Sequence, residues 1–264
     1  MNQSCIELSH VSAGYGTDGK KEEENILHDI SFAVPKGKNV CILGKNGCGK
    51  TTLLRAMVGL LPCTGDIRIE GISLKEMKRK EIARHISMMT QFSDIFFSYS
   101  VFETVLLGRY LYSSSALGQP TKEDRSYALD CLKAVDLYDM KDRQITELSG
   151  GQLQRVFLAR TIAQGAPVIL LDEPTNHLDL SAQRHLIDYL KVWSKEPDRT
   201  VVGVFHDISL AVDLADYLVF MKDGRIVSHG EAEEILSAEL LDEVYDFDVA
   251  KQMKQQLRRW ESIP

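Results

Sequence analysis

The chain has 264 residues, 44% of them apolar, and a net charge of −7. That fits one large or two small globular domains and disfavours unassisted nucleic-acid binding. No apolar run approaches the roughly eighteen residues of a membrane span, and no basic and apolar export signal opens the chain, so any membrane association is expected to go through a partner protein.

The elements follow in chain order. Residues 5–16 alternate in polarity and read as a strand, 17–25 as a polar exposed loop, 26–34 as a second strand, and 35–37 as a turn. Residues 39–43 form a short apolar strand, followed by Gly44, Lys45, Asn46, Gly47, Cys48, Gly49, Lys50, Thr51 and Thr52, in register with G-x-x-x-x-G-K-[ST]. In such a P-loop the glycines let successive N–H groups turn inward on phosphate oxygens. The Lys50 position reaches the β- and γ-phosphates, and the Thr51 hydroxyl suits Mg²⁺. Residues 50–60 read as a helix whose start faces those phosphates. By itself the run predicts nucleoside triphosphate binding and no more.

Residues 65–71 read as another strand, and 75–91 as a helix and a strand ending at Gln91. From 92 to 164 helical periodicity dominates, in 100–112, 122–137 and 151–164. Residues 167–172 and 201–205 are continuous apolar runs suited to buried parallel strands, with a helix at 181–196 between them, which makes a βαβ unit. Residues 217–230 read as a hairpin turning at Asp223-Gly224, then two short helices follow at 231–236 and 238–245. The basic stretch 251–260 has helical character and either binds a partner or frays, of which fraying is the expectation. Five cysteines at irregular spacing form neither a metal pattern nor a disulfide framework, which suggests a reducing cytoplasm.

Leu148, Ser149, Gly150, Gly151 and Gln152 spell LSGGQ. Ser149 can cap the following helix, with Gln152 completing a capping box. The same geometry presents a hydroxyl, two glycine N–H groups and a positive helix end to an anion. LSGGQ is followed by LQRVFLAR and APVILLDEP, roughly a hundred residues after the P-loop. This run resembles the signature motif and Walker B strand of ATP-binding cassette (ABC) ATPases. Tyr15, Gln91, Glu173, Asp179 and His206 fill five further family positions in order, and the resemblance runs from Tyr15 to about Gly230.

The resemblance implies an α/β fold: a P-loop NTPase (RecA-like) core over 1–91 and 165–235, with a small antiparallel β subdomain and an inserted α-helical subdomain over 92–164. Together these make an ATPase domain over 1–235, followed by a short helical tail, 236–264. It implies ATP and Mg²⁺ as cofactors. Glu173 is expected to activate the attacking water, with His206 on the γ-phosphate and Gln91 on the metal or water. Asp172, Thr51 and Gln91 are expected at the metal and Tyr15 on the adenine. In the family the signature of one subunit caps ATP on the P-loop of another, so LSGGQ implies a homodimer, with Asp179 coupling the two sites. His206 stands in FHD, where many members have Thr before the His, and members vary at the positions of Asn176 and His177. Cys48, beside Lys50 and a positive helix end, is expected to be a reactive thiol with a lowered pKa, so that alkylation inhibits and ATP protects.

Seven aromatics fall within 92–112. Some must belong to the helical core, yet together they suit a socket for a partner's helix. In the family this region receives a multi-pass membrane permease. The pattern V-F-E-x-V-L-x-G-R, with TNHLD downstream, resembles importer ATPases for iron–siderophore, haem and cobalamin systems, which also use an extracytoplasmic substrate-binding protein. The chain would then sit on the cytoplasmic face of the membrane. Importers of molybdate or of zinc and manganese, and a non-transport ATPase such as an iron–sulfur assembly factor, remain alternatives.

Overall fold

The computed structural model describes residues 3–15, 25–90, 99–112, 119–176 and 178–261. Gln91, His177, most of the loop at 17–25 and residues 92–98 of the aromatic segment lie outside them.

Two sheets and a set of helices make the fold. Strands β1 (Ser4–Gly14) and β2 (Asn25–Pro35) pair antiparallel, and β3 (Asn39–Gly44) leads into the P-loop and α1 (Lys50–Met57). Then come β4 (Cys63–Ile69), β5 (Ile72–Ser73), α2 (Arg79–His85) and β6 (Ile86–Met89). Helices α3 (Val101–Leu106), α4 (Lys122–Ala134) and α5 (Gly150–Ala163) precede β7 (Val168–Asp172). After α6 (Leu180–Trp193) follow β8 (Thr200–Val204), α7 (Ile208–Leu214), β9 (Tyr217–Lys222) and β10 (Arg225–Glu231). Helices α8 (Ala232–Ile235), α9 (Ala238–Tyr245) and α10 (Val249–Glu261) end the described chain. One sheet is antiparallel in the order β2-β1-β4-β5; the other runs β10-β9-β3-β8-β7-β6, parallel except for β10. Among the described residues no helix is long and apolar enough to cross a membrane.

The period of two along a strand sorts the core into layers. Val40 and Ile42 of β3 join a cluster with α1 and the antiparallel sheet, while Cys41 and Leu43 join the helices on the other side. All six residues of β3 are buried, and each fully buried Val, Leu or Ile contributes about 1.5–3 kcal/mol. This strand is therefore the seam of both layers, and the P-loop at its end is held from both sides.

The helices depart from the expected periodicity in two places. The expected helix over 100–112 is α-helical only to Leu106 and tightens into a 3₁₀ turn over Leu107–Tyr112. There α5 passes so close that a Cβ on Gly108 would lie 2.3 Å from the Arg160 carbonyl oxygen. The Arg109 guanidinium fastens the turn, bonding Asp124 at 2.9 Å and the Ala163 carbonyl at 3.0 Å. The expected helix from 75 begins instead at Arg79, after a separate 3₁₀ turn over Leu74–Glu76, with the Glu81 carboxylate accepting from the Lys78 N–H.

The C-terminal stretch 251–260, expected to fray, lies within α10. Val249 is buried and Met253 packs on the main core. Asp246 stands between α9 and α10 in a left-handed conformation (φ 58°), and its carboxylate accepts from both Lys45 and Lys222.

Candidate functional site

Sheet order brings the chemistry together. Strands β3, β8 and β7 are neighbours, so the P-loop, His206 and Glu173 leave the same edge of the sheet side by side. Asp172 pairs in register with Val204, and the Glu173 N–H donates to the Val204 carbonyl at 3.1 Å. A cavity of about 560 Å³ opens there, lined by Asn46, Gly47, Gly49, Lys50, Thr51 and Thr52 on one side and by Glu173, Asn176 and His206 on the other, with Ile26 at its rim.

Helix α1 begins at this cavity with no side-chain cap: Gly49, at φ 102°, is its N-cap residue. Its first N–H groups are thus left to a ligand, and the helix dipole favours an anion there. The Lys50 ammonium is buried and folds back on the loop, donating to the carbonyls of Gly44 (2.7 Å) and Lys45 (2.9 Å). Burial pulls its pKa below the usual lysine range, against the opposing fields of Cys48, Glu173 and Asp172. Phosphates would supply the anionic charge that this buried cation lacks.

Thr51 donates from Oγ1 to Asp172 Oδ1 at 2.9 Å, joining the two motifs. Burial pushes the Asp172 carboxyl above its usual range; the Thr51 hydrogen bond opposes that and the Glu173 charge adds to it. A hydroxyl and a buried carboxylate oxygen in contact, beside a phosphate-binding loop, fit a hard divalent cation such as Mg²⁺.

Glu173 is held on both oxygens. His206 Nε2 lies 2.5 Å from Oε1 and Asn176 Nδ2 lies 2.5 Å from Oε2. Its backbone sits in the left-handed region, φ 53°, which costs a non-glycine residue about 1 kcal/mol or more. The turn after β7 thus swings the carboxylate out of the sheet and over the P-loop, a conformation fixed by neighbours and not by local preference. Gln154 of α5, buried at 3% exposure, bonds the carbonyls of Glu173 and Pro174 from behind.

Other expected site residues stand apart from the cavity wall. Tyr15, at the end of β1 and half exposed, accepts from the Arg55 guanidinium at 2.8 Å. Ser149 and Gly150 are exposed at the start of α5, in the helical part of the chain. There Ser149 Oγ accepts from the Gln152 N–H at 3.3 Å, and Gln152 Oε1 accepts from the Ser149 N–H at 2.9 Å, a capping box. Leu148 packs partly on the core. Asp179 caps α6, accepting from the Ala182 N–H at 2.8 Å. Gln91 lies outside the described residues.

Cys48 is corrected by the structure. Its side chain turns away from the cavity into the core between α1 and the sheets and is 6% exposed. Burial pushes the thiol pKa up and outweighs Lys50 and the loop N–H groups. Proximity in sequence to a cation suggested a reactive thiolate; desolvation decides otherwise.

Three contributors were not legible in the sequence. Asn176 stands at a position where family members vary, Gln154 reads as one polar residue in a helix, and Asp246 lies 201 residues from the Lys45 it binds. Only the i to i+3 spacing of Glu173 and Asn176 carried a signal, that of a tight turn.

The chain is similar to known proteins over most of its length. A family model described as ABC transporter matches residues 27–176. The petrobactin import ATP-binding protein YclP of Bacillus subtilis (strain 168) is 37% identical over 245 residues, covering 92% of this chain and 94% of that protein. An inward-facing structure of an ABC transporter described as metal-chelate type is 28% identical, covers 94% of this chain and 90% of that one, and superposes with a TM-score of 0.77. The ATP-binding cassette MJ0796, solved as a dimer in a post-hydrolysis state with ADP and Pi, is 29% identical over 86% of this chain and 98% of its own, with a TM-score of 0.77. The chain belongs to the ABC transporter family, among its ATP-binding subunits.

Proposed function

We propose that this chain is the ATP-hydrolysing subunit of an importer that drives uptake of a metal chelate, such as an iron–siderophore, haem or cobalamin, through separate membrane subunits. The observation that carries the reading is the Glu173 carboxylate, clamped by His206 and Asn176 over the P-loop. The import of petrobactin by YclP and the metal-chelate description of the structural neighbour support the substrate class.

Each residue then has a task. The N–H groups of 46–52 and Lys50 hold the phosphates; Lys50 leaves the Gly44 and Lys45 carbonyls to do so. Thr51 and Asp172, with Gln91, would hold Mg²⁺, which neutralises phosphate charge when bound. Glu173 takes the proton of a water aligned with the γ-phosphate, and its two clamps keep the accepting oxygen aimed. The His206 N–H lies where it can also meet the γ-phosphate. Tyr15 offers a flat face to the adenine once Arg55 yields. Ser149 and Gly150, exposed at the start of α5, and Gly151 beside them cap the nucleotide on a second copy of the chain, with Asp179 at the junction.

The permease is expected in the groove of about 330 Å³ lined by Tyr99, Glu103, Leu106, Leu107, Tyr110 and Arg125. Tyr110 and Leu107 are exposed there, as anchors for a partner's helix should be. That partner places the chain on the cytoplasmic face of the membrane, with a substrate-binding protein outside. We retain residues 1–235 as the ATPase domain and 236–264 as its helical tail.

The test is Glu173→Gln. The variant should bind ATP at near wild-type affinity, lose turnover by about a hundredfold or more, and accumulate as an ATP-bound dimer in sedimentation. Hydrolysis at the wild-type rate would overturn the assignment of the base. Co-purification of a multi-pass membrane protein with the tagged chain tests the importer role; a soluble scaffold in its place would oppose it.

A further inference from the structure

The end of the chain segregates its charges. Residues 231–248 hold eight Asp or Glu and no Lys or Arg, whereas 249–260 hold Lys251, Lys254, Arg258 and Arg259 and no acid. The acidic part forms α8 and α9, with Glu233, Glu234, Glu239 and Asp242 exposed. The basic part is α10, thirteen residues and so about 20 Å long. Its apolar stripe runs Val249, Met253, Leu257, one residue every four. Val249 is buried and Met253 packs on the core, but Leu257 is 57% exposed. The stripe therefore begins inside this chain and ends outside it. Phe247, between the two segments, is 50% exposed.

Among the described residues the chain neutralises only part of this pattern, Glu231 by Lys38 and Asp246 by Lys45 and Lys222. Among the described residues, Lys251, Lys254 and Arg258 make no ion pair, and neither do Glu233, Glu234, Glu239 and Asp242. Between the two helices, Asp248 accepts from the Lys251 N–H at 2.8 Å, and Asp246 is tied to Lys45 of the P-loop and to Lys222. That tie fastens the junction of α9 and α10 to the P-loop.

We propose that α10 of one protomer docks on the acidic α8–α9 surface of a second copy of this chain. The contact is reciprocal, so a two-fold dimer forms it twice, basic helix on acidic patch in each direction. It holds the rim of the dimer independently of the two nucleotides and is weakened by salt. The inference rests on the dimer reading of the nucleotide site.

A charge-swap experiment tests it on the full chain in the Glu173→Gln background with ATP, by sedimentation. One variant carries Lys251→Glu, Lys254→Glu and Arg258→Glu; the other carries Glu233→Lys, Glu234→Lys and Glu239→Lys. Binding of a fluorescent ATP analogue and circular dichroism check that each is folded. Each variant alone should dimerise about tenfold more weakly than the parent, because like charges then face each other. An equimolar mixture should recover the parent affinity as a heterodimer. Unchanged affinity in either variant would overturn the proposal, and so would loss in both without recovery on mixing, which marks a contact within one chain. Binding of the parent to phosphatidylserine vesicles, abolished by the α10 swap while the dimer is unaffected, would place the helix on lipid and equally overturn it. A parent that forms no ATP-dependent dimer would sink the dimer reading itself, and the inference with it.

Discussion

Asn176→Ala isolates the orientation of the proposed base, Glu173, from its chemistry. Asn176 touches Glu173 Oε2 at 2.5 Å, while His206 keeps the other oxygen at 2.5 Å. A hydrogen bond to a charged group contributes about 1.5–3 kcal/mol, and each 1.4 kcal/mol lost only in the transition state is about tenfold in rate. The upper limit is therefore roughly a hundredfold. His206 still holds the carboxylate, so the expected loss in kcat is nearer tenfold. The Asn176 amide is engaged by Glu173, across the cavity from Lys50, so ATP affinity should stay within about twofold. Single-turnover hydrolysis under saturating ATP reads the first quantity, and titration with a fluorescent nucleotide reads the second. An unchanged kcat would refute the clamp, and a binding defect as large as the rate defect would move Asn176 from positioning the base to holding the nucleotide.

Three further outcomes follow from the same geometry. Gly44→Ala should lower Tm by several degrees or prevent folding, since its Cβ would lie 2.3 Å from the Met221 carbonyl oxygen and 2.8 Å from Cys48 Sγ at a backbone φ of 152°; a melt within a degree of wild type would contradict the packing. Under mild alkylation at neutral pH, partly exposed Cys63 should label before Cys48, as read by peptide mass spectrometry, with ATPase activity retained; rapid Cys48 labelling blocked by ATP would reverse that ranking. Asp246 is held down to about 2 by its hydrogen bonds from Lys222 and Lys45. A depressed carboxylate stabilises the fold above its unfolded range and loses that contribution as pH falls through the folded value. The Tm difference between wild type and Asp246→Asn should thus be level above about pH 5 and shrink below about pH 4; a difference that grows on acidification would be inconsistent with the ion pair.

Much of the nucleotide site was legible because its constraints are local. Gly44 and Gly49 stand where the backbone takes positive φ, and 39–43 and 167–172 are apolar runs that only a doubly covered sheet accommodates. The fate of Cys48 was not legible, since the direction of one side chain in a tight loop depends on what packs behind it. Nor was the shortened α3: the sequence shows helical periodicity through Tyr112, and only the approach of α5 to Gly108 reveals why the turn tightens. The tail read as frayed because its charge is conspicuous and its two inward residues, Val249 and Met253, are few. Asn176 escaped because an amide beside a carboxylate has no pattern of its own until the left-handed turn at Glu173 folds the two together.

Helix α5 gives one more consequence. Ser149 is its N-cap, and about 1.4 turns further on Gln154 grips the carbonyls of Glu173 and Pro174. A helix in a close-packed interior moves as a rod. Whatever pulls on the outer end of that rod therefore tugs the loop that carries the proposed general base. If a neighbour's nucleotide is what pulls, each protomer feels the occupancy of the other site through its own catalytic loop. The two ATPs then behave as one cooperative pair, and the Hill coefficient of turnover becomes a property of a single glutamine.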